Sequence, residues 1–192
     1  MRIAVYCGSS SGFEPAFAAA AEAVGRQLAE AGIGLVYGGG NVGLMAVLAD
    51  AAIAAGGEVI GVIPQALVDR ELAHPGCTEL HVTANMHARK ALMAEKADAF
   101  VALPGGIGTL EELFEAWTWG QLGWHAKPCA LINVAGYYDE LIAFLDGGVA
   151  HGFLTAEHRA MLIEVEAVAD LIDRIGDYVP PQVGKWIGRK DL

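Results

Sequence analysis

The chain alternates short apolar runs, rich in β-branched residues, with longer stretches rich in Ala, Leu and Glu. The apolar runs predict six strands, at 2–7, 33–37, 58–63, 78–82, 99–103 and 128–133, and a short edge segment at 161–165. The longer stretches predict helices near 13–31, 43–55, 86–97, 109–120, 138–150 and 167–176. Strands that are apolar throughout and alternate with helices are typical of a parallel sheet covered on both faces. We therefore expect an α/β fold, a single domain with a Rossmann-like, doubly wound parallel sheet.

The length and charge narrow the possibilities further. A chain of 192 residues suits one such domain, which we place at 1–178, followed by a loosely held tail at 179–192. Hydrophobic residues make up 54% of the chain, enough for a sizeable core. The net charge of −11 disfavours nucleic-acid binding, because a phosphate backbone needs a basic surface. A small anion remains possible, since helix N-termini and a few local cations can bind it.

The cysteines and histidines suggest neither disulfides nor a metal. Cys7, Cys77 and Cys129 are widely spaced and odd in number, which favours reduced thiols in a cytoplasmic protein. Cys7 ends an apolar run and is expected in the core rather than as a nucleophile. The histidines show no metal-ligand spacing, so we expect no metal site. Asp50 and Glu58 interrupt the long apolar middle, and the N-terminus has no signal-peptide pattern, so no membrane association is expected.

Four loops with unusual chemistry follow predicted strands. They read CGSS, YGGGNVG, TANMHARK and PGGIGT, and they come after the first, second, fourth and fifth strands. In open α/β sheets, ligands bind outside the carboxyl ends of the strands. We therefore expect these loops to meet at one ligand site.

The glycine-rich loop at 38–43 contains G-x-G-x-x-G between a strand and a helix, which raises the possibility of a dinucleotide site. The pattern follows the second strand, however, and the next strand ends GVIP, without the acid that would bind an adenosine ribose. Contact between a phosphate or ribose and the amides of this loop is the better interpretation.

The segment at 104–109, PGGIGT, has two interpretations. Amides of the glycines and Thr109 could form an anion site at the positive end of the next helix. Alternatively, Thr109 and Glu112 fit a capping box, Thr-x-x-Glu, at the start of that helix. The capping box accounts for these two residues and leaves the number of glycines unexplained.

The segment NMHARK places two cations where a helix disfavours them. If Asn85 caps the helix, Arg89 and Lys90 lie at the end of its first turn, where each opposes the helix dipole by roughly 0.3–1 kcal/mol. They are either solvated surface charges or partners of a phosphate or a carboxylate. Amides and cations suit a monophosphate, and a carboxylate suits the oxocarbenium-like state of glycoside cleavage. The residues alone therefore favour a phosphosugar or nucleotide hydrolase.

The same motifs resemble a known family. PGGIGTLEE fits PGGxGTxxE, the signature of the LOG ("Lonely guy") proteins, which are cytokinin riboside 5′-monophosphate phosphoribohydrolases. CGSS, VYGGGNVGLM, GVIPQAL, MHARKALM, WTWGQLGWHAKP and GYYDELIAFLD extend the resemblance through nearly the whole chain. Such sequences are also described as lysine decarboxylases, but no lysine here has a recognisable pyridoxal-phosphate setting.

The resemblance implies hydrolysis of the N-glycosidic bond of N6-modified adenosine 5′-monophosphates to free base and ribose 5-phosphate. It implies that Arg89 and Glu112 form the catalytic pair and that no cofactor is needed. Together with the loops, it assigns substrate contacts to Ser9, Gly39, Gly40, Glu71, Met86, Lys90, Gly105, Gly106, Ile107, Gly108, Thr109, Leu110, Glu111 and Thr118.

The resemblance has one departure and leaves two questions open. The family usually has Asp before MH, where this chain has Asn85, which can still cap a helix. Family members form homodimers, and WTWGQLGW is either part of such an interface or part of the core. Some relatives of similar fold carry a phosphorylated pterin, the molybdenum cofactor, without cleaving it, so a carrier is the alternative function.

Overall fold

Seven parallel strands form the centre of the protein in a computed structural model, which describes residues 1–70 and 72–181. The order across the sheet is β4-β3-β2-β1-β5-β6-β7, and every neighbouring pair is parallel. The predicted strands and the edge segment are confirmed to within one residue at most ends. The strands are β1 (Arg2–Tyr6), β2 (Gly34–Tyr37), β3 (Val59–Pro64), β4 (Glu79–Thr83), β5 (Ala99–Ala102), β6 (Cys129–Ile132) and β7 (Leu162–Val165).

Helices connect the strands, and the predicted ones are present. Two single-turn helices were not predicted, because four residues are too few to show a helical period. No helix of the described residues is long and apolar enough to span a membrane. The helices are α1 (Pro15–Glu30), α2 (Gly43–Ala54), α3 (Gln65–Val68), α4 (Met86–Lys96), α5 (Ile107–Gln121), α6 (Asp139–Ala150), α7 (Ala156–Arg159) and α8 (Leu171–Gly176).

The sheet is covered on both faces, which confirms the doubly wound α/β fold. Successive side chains of a strand point to opposite faces. In β1, Ile3 and Val5 pack in a cluster with α1, α2 and α8, whereas Ala4 and Tyr6 pack in a cluster with α4, α5 and α6. The predicted tail lies outside the described residues from position 182 onward.

The strand order reverses between β1 and β5. The chain runs outward from β1 to β4 on one side, then returns to the centre and runs outward from β5 to β7 on the other. In doubly wound sheets, the connections diverge at this point and leave a crevice beyond the strand ends. The loops after β1 and β5 therefore border the place where a ligand is expected.

Helices α1 and α2 approach each other closely at Gly25. A methyl group added there would lie 2.2 Å from the carbonyl oxygen of Leu48. We expect Gly25→Ala to lower the free energy of unfolding by about 1–3 kcal/mol, because the helices would have to separate. The matched change Gly176→Ala at the end of α8, where an added methyl group would meet no neighbouring group of the described residues within 4 Å, should leave it unchanged or raise it by up to about 1 kcal/mol. Urea denaturation of both variants checks the expectation, and equal effects would contradict it.

Candidate active site

The helix that follows the glycine loop begins earlier than predicted. α5 starts at Ile107, and its N-cap residue is Gly106, which has no side chain to cap the helix. The predicted capping box is therefore wrong, because Thr109 is the third residue of the helix. Its buried side chain lies beneath Gly105, where an added methyl group would be 2.1 Å from Thr109 Oγ1. The first N–H groups of α5 consequently have no side-chain cap.

Main-chain contacts join three of the predicted loops. Gly8 N, after β1, donates to Pro104 O at 3.1 Å, and Leu44 N, at the start of α2, donates to Gly8 O at 3.0 Å. Gly43 has φ +54°, and a methyl group there would lie 2.4 Å from the carbonyl carbon of Ser9. The loops after β1, β2 and β5 therefore meet at the switch point, as the sequence predicted.

Two tyrosines support the glycine loop from the segment after β6. Tyr137 Oη donates to Gly105 O at 2.6 Å, and Tyr138 Oη donates to Leu103 O at 2.7 Å. Sequence reasoning missed both of these supporting contacts. The only signal was the GYYDEL motif, in which two tyrosines lie at the start of a predicted helix.

Arg89 and Glu112 meet at the centre of these loops. Arg89 Nη1 lies 2.5 Å from Glu112 Oε1, and the two side chains are only 9% and 10% exposed. Asn85 caps α4 as predicted, with its side chain accepting from Ala88 N at 2.9 Å, and Arg89 follows one turn later. Glu112 lies in the second turn of α5. Residues 23 positions apart in the sequence thus form one buried ion pair.

Contacts with β3 and with the residue just after β2 position the guanidinium of Arg89. Its Nε donates to Val62 O in β3 at 3.0 Å. A methyl group added at Gly38, just after β2, would lie 2.3 Å from Arg89 Nη2. Glycine at this position therefore leaves the space that the guanidinium occupies.

Burial and the ion pair act on Glu112 in opposite directions. Burial raises the pKa of the Glu112 carboxyl above its ordinary value, and the charge and hydrogen bond of Arg89 offset only part of the rise. Burial also raises the pKa of the Cys7 thiol, and Glu112 raises it further. Cys7 is therefore a core residue, as predicted, rather than an ionised nucleophile.

A cleft of about 460 Å³ opens above the ion pair. Several apolar side chains line one part of it, including Met45, Ile63, Leu67 and Leu72. Ten of the predicted residues line the cleft: Ser9, Gly40, Met86, Arg89, Gly106, Ile107, Gly108, Thr109, Glu111 and Glu112. The cleft therefore combines a helix N-terminus, an ion pair and an apolar wall.

Other predicted residues lie near the cleft without lining it. Gly39 has φ +70° and lies against β3, where a methyl group would be 3.0 Å from Ile63 Cβ. Gly105 packs closely against the side chain of Thr109, and Leu110 packs against the hydrophobic core. The structure does not describe Glu71.

The ammonium of Lys90 is held between two carboxylates of α5. Lys90 Nζ pairs with Glu111 and lies 3.0 Å from Glu115 Oε2. Burial alone would lower the pKa of Lys90, but the hydrogen bonds to these carboxylates raise it above its ordinary value. Lys90 therefore links α4 to α5, and it does not line the cleft formed by the described residues.

The tryptophans of the segment at 117–124 lie in two different environments. Trp117 is buried and donates from Nε1 to His158 O at 3.0 Å, so it belongs to the core. Trp119 and Trp124 are half-buried, with ring centroids 4.8 Å apart, and line a surface groove. Thr118 is exposed and lines a different groove, which is apolar and lies between α5 and α6.

Known proteins match most of this chain. Residues 45–175 match a family model described as "Possible lysine decarboxylase". The cytokinin riboside 5′-monophosphate phosphoribohydrolase LOG of Oryza sativa subsp. japonica is 47% identical over 93% of this chain and 74% of its own length. A cytokinin riboside 5′-monophosphate phosphoribohydrolase of Arabidopsis thaliana is 46% identical over 93% of this chain and 84% of its own. The chain belongs to the LOG family. The family resemblance of PGGIGTLEE and the other motifs is thereby confirmed.

More distant proteins of known structure share the fold of this LOG-family chain. The molybdenum cofactor binding protein from the phototrophic bacterium Rippkaea orientalis superimposes with a TM-score of 0.70. Its identity is 24%, over 91% of this chain and 94% of that one. At this level of identity the likeness concerns the fold, which agrees with the doubly wound sheet described above.

Removing one partner of the ion pair should destabilise this LOG-family protein in a pH-dependent way. Arg89→Met leaves Glu112 buried without a counter-charge, so we expect the free energy of unfolding at pH 8 to fall by about 3–5 kcal/mol. The loss should be smaller at pH 5, because a carboxyl whose folded-state pKa is raised favours the folded state when it is protonated.

Urea denaturation at both pH values measures this difference. The double variant Arg89→Met/Glu112→Gln removes the charge that needs compensation, and should recover most of the stability lost at pH 8. An equal loss at pH 5 and pH 8 in Arg89→Met would contradict the expectation.

Proposed function

We propose that this protein hydrolyses the N-glycosidic bond of N6-modified adenosine 5′-monophosphates, releasing the free base and ribose 5-phosphate. The observation that carries the proposal is the buried Arg89–Glu112 pair, which faces the same cleft as the start of α5. The relatives at 46–47% identity are phosphoribohydrolases by name, which supports the same reaction.

The two ends of the cleft suit the two ends of such a nucleotide. N–H groups of Gly106, Gly108 and Thr109, at the N-terminus of a 15-residue helix, suit the 5′-phosphate. The apolar part, with Leu67 and Leu72 and with Met86, 44% exposed, suits a purine with an apolar N6 substituent. The ribose would then lie between them, above the ion pair.

Glu112 is the group proposed to act on the ribose. Cleavage of the bond between C1′ and the base nitrogen places positive charge on the ribose, and a carboxylate stabilises that charge. The same carboxylate can orient the water whose oxygen bonds to C1′ as the base departs with the bonding electrons, and the proton that the water loses balances the one that the base nitrogen gains. Because burial favours the protonated carboxyl, Arg89 is proposed to hold Glu112 in its ionised form and in position.

Product analysis tests the reaction. Purified protein should release adenine-type base and ribose 5-phosphate from AMP and N6-isopentenyl-AMP, and leave the unphosphorylated nucleosides nearly untouched. Glu112→Gln should lower kcat by about 10²–10⁴-fold, since the amide cannot stabilise positive charge as a carboxylate does. The control Glu95→Gln, on the exposed surface of α4, should keep the wild-type rate. Wild-type turnover by Glu112→Gln would refute the assigned role.

A carrier of a phosphorylated pterin is the second candidate, favoured by the fold shared with the molybdenum cofactor binding protein. A carrier would not require the buried Arg89–Glu112 pair beside its anion site, so this candidate is the weaker one. The carrier would be favoured if the purified protein contains molybdenum, absorbs light at wavelengths longer than the protein absorption band, and releases no base.

We propose further that two copies associate as a homodimer and that the protein acts in the cytoplasm. An apolar groove between α5 and α6 contains Phe144, 75% exposed, and Phe153, 92% exposed. An exposed apolar surface of this kind is typical of protein interfaces. Because Thr118 lines this groove rather than the cleft, a substrate contact by Thr118 would require the pairing of two chains. The free thiols of Cys7, Cys77 and Cys129 suit the reducing cytoplasm.

Light scattering tests the dimer. The wild-type protein should have about twice the 20.1 kDa mass of the chain. Phe153→Glu should give a monomer, because a charge would be buried at the interface. Phe13→Glu, at a fully exposed phenylalanine that does not line the groove, is the matched control and should remain dimeric. A monomeric wild-type protein would refute this part of the proposal.

A further inference from the structure

Tyr137 makes a hydrogen bond to a peptide group of the glycine loop. Its Oη donates to Gly105 O at 2.6 Å. This carbonyl belongs to the same peptide group as the N–H of Gly106, and the described residues contain no cis peptide bond. In a planar trans peptide, the C=O and N–H point in opposite directions. Fixing the oxygen of Gly105 therefore also fixes the direction of the Gly106 N–H.

The neighbouring peptide groups are fixed by the main chain instead. Pro104 O accepts from Gly8 N at 3.1 Å, and Gly106 O accepts from Leu110 N at 3.2 Å, in the first turn of α5. The peptide between Gly105 and Gly106 lies between these two, and its oxygen is held by a side chain. Because glycines flank it on both sides, rotation of this peptide meets little steric resistance.

The phenol of Tyr137 is itself held in place. The Phe17 ring packs edge-on against it, with centroids 5.4 Å apart, and the Tyr138 ring does so at 4.9 Å. Asn133 Oδ1 accepts from Tyr138 N at 2.7 Å, which fixes the turn that carries both tyrosines. Tyr137 therefore presents its hydroxyl from an ordered ring.

The position of Tyr137 relative to the cleft completes the argument. Gly106 lines the cleft, and Tyr137 does not appear among the described residues that do so. We propose that Tyr137 is a positioning residue for the anion site: by holding the Gly105 carbonyl, it directs the Gly106 N–H toward a bound phosphate. The identity of that phosphate, as the 5′-phosphate of a nucleotide, rests on the function proposed above.

The variant Tyr137→Phe tests this role, since it keeps the ring contacts and removes only the hydroxyl. We expect the affinity for ribose 5-phosphate, measured by calorimetry, to fall about three- to tenfold. The affinity for adenine, which has no phosphate, should stay within about twofold of the wild-type value. In turnover, KM for AMP should rise while kcat stays nearly constant, because the loss lies in binding.

Tyr138→Phe is the matched control. Its hydroxyl donates to Leu103 O, and the nitrogen of that peptide belongs to Pro104, which has no N–H to present. Loss of this bond should lower the melting temperature and leave the affinity for ribose 5-phosphate nearly unchanged. Equal losses of affinity in both variants would show a general loosening of the loop, and would overturn the proposal, as would an unchanged affinity in Tyr137→Phe.

The binding measurements separate this inference from the proposed reaction. A wild-type protein that binds AMP without cleaving it would refute the phosphoribohydrolase function, while the comparison of Tyr137→Phe with Tyr138→Phe would still decide the role of Tyr137. A wild-type protein that binds neither AMP nor ribose 5-phosphate would overturn the inference directly.

Discussion

The buried ion pair between Arg89 and Glu112 is the interaction on which the site depends. Each charge alone would be costly in this environment, because little solvent reaches it. The two groups supply each other with a counter-charge and a hydrogen-bond partner, and Val62 O accepts a further hydrogen bond from Arg89. The pair also joins α4 to α5, two of the helices that begin beside the cleft. The proposed catalytic geometry and the local packing therefore depend on the same contact.

The fold could be predicted largely because most of the strands, β4 excepted, are buried on both faces. Covered parallel strands have no polar face, so they stand out as apolar runs, and even the edge strand β7 was recognisable. The start of α5 could not be predicted in the same way. Thr109 and Glu112 have the spacing of a capping box, but the close approach of Gly105 to Thr109 places that threonine inside the helix. This contact depends on the path of the loop, which the spacing does not encode.

For the site, the sequence predicted which residues lie around one cleft better than it predicted what each of them touches. Arg89 and Glu112 were proposed from the family motifs, but the space left by Gly38 depends on the packing of α4 beside β2 and β3. Lys90 was expected to pair with a phosphate or a carboxylate, and its ammonium lies between the carboxylates of Glu111 and Glu115. Contacts between side chains of different helices follow from tertiary packing, and residue spacing along the chain does not reveal them.

The contacts that join the loops at the switch point are made by the main chain. Gly8 bonds to Pro104 and to Leu44 through backbone atoms alone. Changes of side chain in the apolar part of the cleft, at Leu72 or Met86, leave these bonds in place. Evolution can therefore alter the chemical group accepted at the outer end while the inner scaffold stays the same. A scaffold of this kind allows related proteins to accept different ligands through the exchange of a few side chains around the cleft.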